Sequence, residues 1–304
     1  MIIGFINITN TSINLISNLI LTNTDVDFLI INHDFSRANQ IIEEFNSIID
    51  YGKYKNKIYF KNYQNLENAD ILIIEPNQSL VPGMNLSDLA IENAEWIYKI
   101  GYLVRNSNFN GIAFVLGYNN AILCKIFSDS SGLVGKKVFG IGSVLENISF
   151  DSFLKKSEID VAKNGNFFVF GDLGHGFLIV QEFENKNLIK EKIESFEEII
   201  QKINDKSLEK IIRKTPENWL LASILLTILL DIFQQRQNFF LLNCWVDSFY
   251  NIKNDFFSLP VKINLFGQIE TKNIELNKSE QQKLIQFMWK KTDLINLVNK
   301  YLNN

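Results

Sequence analysis

Several residue types are scarce in this chain, and each scarcity narrows what the protein can be. Among 304 residues there are only two cysteines, Cys124 and Cys244. Their separation fits neither a zinc-ligand pattern nor a disulfide framework, which suits a reducing compartment, and we expect no metal site. Histidine is equally rare, with two residues, His33 and His175.

Neither the charge nor the apolar runs favour a nucleic-acid or membrane partner. The 30 basic and 34 acidic residues give a formal net charge of -4, so no Lys/Arg field is available for a phosphate backbone. The longest apolar stretch, 219–230, is too short to cross a bilayer and predicts a buried helix. Residues 1–5 include no basic segment typical of a signal peptide, and we expect a cytoplasmic protein.

The first 140 residues alternate short β-type runs with helical patterns. The predicted strands are 2–8, 27–32, 57–60, 69–75, 111–117 and 138–142. Helical periodicity covers 11–22, 35–49 and 85–104. Strands that alternate with helices predict a parallel sheet with right-handed crossovers, covered on both faces. We therefore expect an α/β, Rossmann-type doubly wound sheet, with ligands at the carboxyl ends of its strands.

The second half has a mixed α+β pattern. Two apolar runs flank a Gly-Asp-Leu-Gly-His-Gly turn at 171–176 and predict a β-hairpin. Charged helices are expected over 190–213 and an apolar helix from Pro216. The remaining expectations are strands at 238–247, 255–265 and 269–276 and a helix from Ser279. We place a domain boundary at 140, giving domains 1–140 and 141–304 that share a large interface because no linker separates them.

Taken together, nine features resemble the L-lactate/malate dehydrogenase family in order and approximate spacing. They are 67–74, Pro82-Gly83 followed by Asp88-Leu89, 108–115, 136–150, the 171–176 turn, Lys214 with Trp219, 256–261, Gly267 and 276–284. The resemblance covers nearly the whole chain. It implies a Rossmann-type NAD-binding domain followed by an α+β domain of the lactate/malate dehydrogenase type.

The resemblance also locates the cofactor positions, and they are substituted. The family's Gly-x-Gly-x-x-Gly, in which a Cβ would collide with the pyrophosphate, reads Ile6, Ile8 and Thr11 here. Of the three, the β-branched Ile8 is expected to obstruct phosphate most. Asn32 stands where the family has an acid that accepts the ribose hydroxyls. The helix start at 9–12 could hold a small anion, but helix capping is the favoured interpretation.

The substrate positions are altered as well. Leu86 replaces the arginine that polarises the substrate carbonyl, and Ser149 replaces the arginine that binds the substrate carboxylate. Leu80 lies at the residue that selects the substrate, and Tyr118 at another substrate contact. Glu217 replaces a threonine and would repel a carboxylate substrate.

The proton donor is displaced in the hairpin turn. The family pattern there is Gly-Glu-His-Gly-Asp, and the glycine register puts Leu173 at the histidine position and His175 at the aspartate position. Glu146 takes the place of the Asp that orients the histidine. A Glu146–His175 relay would need a displacement of about 6–7 Å along the chain, which breaks the geometry of hydride transfer. We therefore favour a structural or surface role for His175.

Loss of all these groups beside a matching scaffold predicts a pseudoenzyme that has lost NAD binding and acts as a structural or regulatory partner. We expect no cofactor, and a homodimer or a hetero-oligomer with an active paralogue. A dimer is preferred because the chain starts at its first strand, without the arm that braces some tetramers. The alternative is an active NAD-dependent 2-hydroxy acid oxidoreductase, with the Glu146–His175 relay and a pocket of Leu80, Leu86 and Leu173. A third hypothesis is binding of another small anion or nucleotide at 9–12.

Overall fold

The fold is described from a computed structural model of the chain. The structure describes residues 1–32, 34–76, 80–156, 166–172, 176–182, 198–205, 209 and 219–302. Within these ranges the elements alternate between strands and helices in the first half and then change to long antiparallel strands.

Six parallel strands form the first part of the sheet. They are β1 (Ile2–Ile6), β2 (Asp27–Ile31), β3 (Ile58–Phe60), β4 (Ile71–Ile74), β5 (Ile112–Val115) and β6 (Val138–Gly140). The helices between them are α1 (Asn10–Leu21), α2 (Phe35–Gly52), α3 (Leu86–Arg105) and α4 (Asn120–Ser131). The strand order is β3-β2-β1-β4-β5-β6, which confirms the Rossmann-type doubly wound topology.

The central strands are apolar throughout because both faces of the sheet are covered. β4 and β5 are buried at every position. Along β1 the side chains alternate: Ile3 and Phe5 pack in the core on the side of α1, whereas Ile6 packs on the side of α3 and α4. Because successive side chains of a strand point to opposite faces, β1 contributes side chains to the cores on both faces of the sheet.

The second part of the chain adds three antiparallel strands to the same sheet. After α5 (Val144–Lys156), the hairpin of β7 (Asn166–Asp172) and β8 (Gly176–Glu182) forms a separate two-stranded sheet. The later elements are α6 (Trp219–Phe233), β9 (Phe240–Phe249), β10 (Ile252–Asn264), β11 (Gly267–Thr271) and α7 (Lys278–Leu302). β9 pairs with β6 and extends the sheet to nine strands.

The join between β6 and β9 is narrow and closely packed. Gly140 is the residue of β6 that pairs with Asn243. A Cβ at Gly140 would overlap Oδ1 of Asn120, the atom that accepts a hydrogen bond from Asn243 Nδ2 at 3.2 Å. Beside it, the backbone N–H of Ser143 donates to Ser258 Oγ at 3.0 Å. Small and amide side chains thus bring the two parts of the sheet together.

Most predicted elements are found, with shifted ends. The hairpin around the 171–176 turn is present, and the strand expected at 269–276 is instead 267–271. Helix α4 was not predicted, because nearly every one of its residues is buried and its exposed polar face consists of little more than Lys125 and Asp129. Residues 198–205 are helical, whereas Pro216 lies outside the described residues. In the described ranges, no helix is both long and apolar enough to cross a membrane.

Candidate functional site

The candidate site lies at the carboxyl edge of the sheet, where the direction of winding reverses. β1 and β4 are neighbours, and Ile6 pairs with Ile74 at their carboxyl ends. The chain leaves β1 towards β2 and later returns to β4 on the other side. In doubly wound sheets, ligands bind in the crevice at this reversal, with anionic groups at the start of the helix that follows β1.

Asn7 makes the tight turn from β1 into α1. Its φ of 72° is in the left-handed region, where asparagine is one of the few residues other than glycine found routinely. The Asn7 side chain donates from Nδ2 to the backbone oxygen of Glu75 at 2.9 Å. The turn is therefore fastened to the end of β4.

The carboxylate of Glu75, the residue after β4, lies at the start of α1. The Thr11 hydroxyl donates to Glu75 Oε1 at 3.0 Å, and the Thr9 hydroxyl donates to Oε2 of the same side chain. Burial raises the pKa of Glu75, and the hydrogen bonds from Thr9 and Thr11 lower it by less. Both carboxylate oxygens are thus directed to the first turn of the helix.

Capping, the interpretation favoured for 9–12, accounts for part of this arrangement. Thr9 is the N-cap of α1, and its side-chain oxygen accepts from the Ser12 backbone N–H at 3.3 Å. The isoleucines at the glycine positions lie in the core, with Ile6 1% and Ile8 2% exposed. The Glu75 carboxylate is a polar group at the helix start that comes from outside α1, and the side chain of Ile8 packs in the core on the α1 side.

The ribose side of the crevice has an amide in place of an acid. Asn32 follows β2, and its Nδ2 donates to the backbone oxygen of Asp34 at 3.4 Å. Asp34 is exposed and caps α2 by accepting from the Arg37 backbone N–H at 3.0 Å. Asn32 has no carboxylate to accept two ribose hydroxyls, and the Asp34 carboxylate caps α2.

These residues do not fit a dinucleotide. A diphosphate at the α1 start would meet the Glu75 carboxylate, and like charges side by side are unfavourable when partly desolvated. The ribose would meet the Asn32 amide. The described residues also contain no group of three or more His, Cys, Asp or Glu side chains that could hold a metal ion.

A cleft on the substrate side brings two of the predicted positions together. Leu86, the first residue of α3, and Tyr118, which precedes α4, line a cleft of about 370 Å³. The remaining lining residues include a basic and an acidic side chain from α7, Lys290 and Asp293. The cleft therefore has charge, which the C-terminal helix supplies.

Two polar residues of this cleft, the half-buried Tyr118 and the buried Asn119, follow β5. Burial and the charge of Asp172 raise the pKa of Tyr118. Asn119 is buried with a left-handed φ of 57° and makes no side-chain cap to α4. Its Oδ1 and Nδ2 have no hydrogen-bond partner among the described residues.

The other predicted site residues are not gathered in this cleft. Leu80 and Ser149 are half-buried, and the Ser149 hydroxyl donates to the Leu145 backbone oxygen of its own helix at 2.9 Å. Glu146 lies in the first turn of α5. Three further predicted positions, Leu173, His175 and Glu217, lie outside the described residues, as does His33.

Sequence patterns do not single out the residues that define both ends of the site. Glu75 is predicted only as the last residue of a strand, although an acid at the end of an apolar strand is itself a signal. Asn7 lies between the positions of the family's glycines, so that pattern gives it no role. Lys290 and Asp293 lie on a helix that the substrate positions gave no reason to include.

Comparisons with known proteins place this geometry in context. No protein-family model matches the chain. L-lactate dehydrogenase 2 of Bacillus cereus is 22% identical over 268 residues, covering 84% of this chain and 85% of that protein. The ligand-bound minor L-lactate dehydrogenase of Enterococcus mundtii superposes with a TM-score of 0.83 at 16% identity, covering 98% of both chains. The apo malate dehydrogenase of Picrophilus torridus has a TM-score of 0.81 at 16% identity, covering 99% of this chain and 98% of its own.

Proposed function

We propose, from the membership of the lactate/malate dehydrogenase family that these similarities support, that this chain is a pseudoenzyme. It keeps the fold of an NAD-dependent dehydrogenase but has lost NAD binding and hydride transfer. In its place it acts as a structural or regulatory protein, as a homodimer or as a hetero-oligomer with an active paralogue.

One observation carries this proposal: the described positions that correspond to ligand contacts are buried, apolar or engaged with their own backbone. Ile6 and Ile8 belong to the cores on the two faces of the sheet. The Ser149 hydroxyl donates within α5, so it is no substitute for an arginine that binds a carboxylate. Loss of a desolvated arginine–carboxylate pair typically costs about 2–5 kcal/mol of binding.

Catalysis loses separate contributions at the same time. General acid–base catalysis contributes about 10²–10⁴-fold to rate. With Leu86 at the position of the carbonyl-polarising arginine, electrostatic stabilisation of the developing alkoxide is lost as well. Carboxylate binding, proton donation and alkoxide stabilisation are separate contributions to catalysis. Their combined loss favours an inactive protein over one with changed specificity.

The test is a thermal-shift titration of the full chain with NADH, followed by an assay of NADH oxidation with pyruvate and with oxaloacetate. A ligand at a hundred times its Kd adds about 2.7 kcal/mol of stability, so normal binding would be obvious. We expect no saturable shift and no turnover. A saturable shift together with turnover would replace the pseudoenzyme with the alternative, an active 2-hydroxy acid oxidoreductase.

His175→Ala distinguishes the routes by which such activity could arise. If the displaced Glu146–His175 relay supplied the proton, this variant would lose turnover while keeping NADH binding.

The oligomeric state is tested by light scattering on size-exclusion fractions of this protein, run alone and mixed with an active dehydrogenase of the family. A monomer in both runs would contradict the partner role.

A further inference from the structure

We infer that Glu75 is an internal anion: its carboxylate fills the position at the start of α1 that suits a diphosphate, and the chain thereby closes its own phosphate site. This inference rests on the proposed function, because it states what replaced the dinucleotide. It also identifies the ligand class that the position would accept without Glu75, namely inorganic pyrophosphate and the diphosphate of a nucleotide.

The first argument is position. Glu75 directly follows β4, and Asn7 directly follows β1, at the paired ends of two neighbouring strands. The hydrogen bond from Asn7 to the Glu75 backbone oxygen holds these two ends together. The side chain thus starts inside the crevice where the winding of the sheet reverses, which is the ligand position of this topology.

The second argument is that the carboxylate is bound as a ligand anion would be. Each of its oxygens accepts from a different hydroxyl, one from Thr9 and one from Thr11. Hydrogen bonds to a charged acceptor are about twice as strong as neutral ones. Two donors in the first turn, added to the positive end of the helix dipole, are what a phosphate oxygen pair would meet at a helix start.

The third argument is that α1 does not need Glu75 as a cap. Thr9 already caps the helix by accepting from Ser12. The first turn of α1 contains no acidic residue of its own, so the charge that complements the dipole comes from a residue 64 positions from Thr11 in sequence. Capping is local, whereas this contact joins the residue after β4 to the start of α1.

The fourth argument is the environment of the carboxylate. Burial raises its pKa, which means that the crevice disfavours the charge and the threonine hydroxyls only partly offset this. An arrangement chosen for stability alone would favour a neutral side chain here. A carboxylate that lies here despite the cost of its burial is therefore held by its two threonine donors, and packing alone does not explain its position.

The experiment is to remove the carboxylate from the full chain and offer a diphosphate. We would titrate Glu75→Ala and the wild type with inorganic pyrophosphate, and measure binding by calorimetry and by thermal shift against sodium chloride of matched ionic strength. Removing a like charge from the site should lower the Kd for pyrophosphate by about tenfold or more. The melting temperature of Glu75→Ala should rise saturably, and that of the wild type should not.

Two further variants make the result interpretable. Glu75→Ser removes the carboxylate but leaves a small hydroxyl for Thr9 and Thr11, and it serves if the alanine variant does not fold. Glu92→Ala removes an exposed glutamate of α3 and should respond as the wild type does. Pyrophosphate binding that is equal in the wild type, Glu75→Ser and Glu75→Ala would overturn the inference, as would a response of Glu92→Ala equal to that of Glu75→Ala.

Failure of this inference is distinguishable from failure of the proposed function. If the wild type binds neither NADH nor pyrophosphate and the Glu75 variants also bind no pyrophosphate, Glu75 is not the closing group but the pseudoenzyme stands. If the wild type binds NADH, the pseudoenzyme is wrong, and Glu75 cannot be closing the phosphate position either.

Discussion

Two helices start at the same edge of the sheet, separated by β4, and their first residues are satisfied in opposite ways. At the start of α1, the side chains of Thr9 and Thr11 are hydrogen-bonded, with Glu75 as their common acceptor. At the start of α4, the Asn119 amide is buried without a hydrogen-bond partner among the described residues, beside a cleft of about 370 Å³.

The two helix starts therefore differ in how their polar groups are satisfied. The start of α1 is closed by the chain's own groups, whereas the start of α4 borders a cleft and has a buried amide without a partner among the described residues. Buried polar groups are usually paired, so Asn119 is an exception. Changes at each helix start should therefore have unequal consequences.

The largest expected effect is on α7, the helix that supplies charged side chains to the open cleft. Lys291 of α7 is 1% exposed, pairs with Asp255 at 2.7 Å and donates to the Phe256 backbone oxygen at 2.6 Å. Lys291→Met leaves the Asp255 carboxylate without this partner, and breaking a buried pair costs about 3–5 kcal/mol. Urea unfolding should show this loss, while Lys290→Met, an exposed neighbour, should stay within about 0.5 kcal/mol of the wild type.

The next-largest effect is expected at the start of α1. Thr9→Ala removes the N-cap of this helix and one of the two donors to Glu75, so the free energy of unfolding should fall by about 1–2 kcal/mol. Chemical denaturation of the variant and the wild type measures this difference. If the variant is as stable as the wild type, the hydrogen bonds at this helix start contribute nothing, and the contrast with α4 disappears.

A third prediction uses the raised pKa of Glu75. The folded state binds the proton of this carboxyl more tightly than the unfolded chain does, so stability should fall as pH rises from the ordinary pKa of 4.5 towards the folded value. One group changes the slope by at most about 1.4 kcal/mol per pH unit. Glu75→Gln should flatten the profile in this window.

Asp151 provides the comparison for that measurement. Burial also raises its pKa, with Lys155 and Asn147 lowering it by less, so Asp151→Asn should remove a separate contribution of the same sign. A profile that is unchanged in Glu75→Gln but flattened in Asp151→Asn would show that Glu75 does not titrate in this window.

The smallest effect is expected on the open side. Asn119→Gly keeps the left-handed backbone at no steric cost and removes an unpaired buried amide, whose desolvation offsets the lost packing and the added freedom of glycine. Stability should change by no more than about 0.5 kcal/mol. A loss as large as that in Thr9→Ala would mean that Asn119 is bonded as firmly as the threonines.

The strands were predictable because a period of two and continuous apolar runs are local signals, and their alternation with helices predicted a doubly wound sheet. Helix α4 was missed because it is buried nearly all round, and Lys125 and Asp129 alone do not reveal its period. The substituted positions stay predictions, because the family register that names them rests on sequence alone. The contact of Glu75 with Thr11 could not be found in this way, because it depends on which strands become neighbours.

The cleft at the start of α4 could not be predicted for the same reason, because it depends on contacts between distant parts of the chain. Leu86 and Tyr118 could be named in advance, but the cleft between them is completed by α7, about 170 residues beyond Tyr118. Burial of Asn119 depends on packing and not on its neighbours in sequence. Contacts between distant parts of the chain, more than secondary structure, decide whether the start of a helix is closed by the chain's own groups or borders a cleft.

The narrow join at Gly140 has a consequence for motion. Because β6 and β9 are hydrogen-bonded members of one sheet, and any side chain at Gly140 would displace Asn120, this seam offers no hinge about which the halves could swing. The two parts of the sheet would therefore move as one body at this seam, so a molecule that bound one part would meet the other in a fixed orientation.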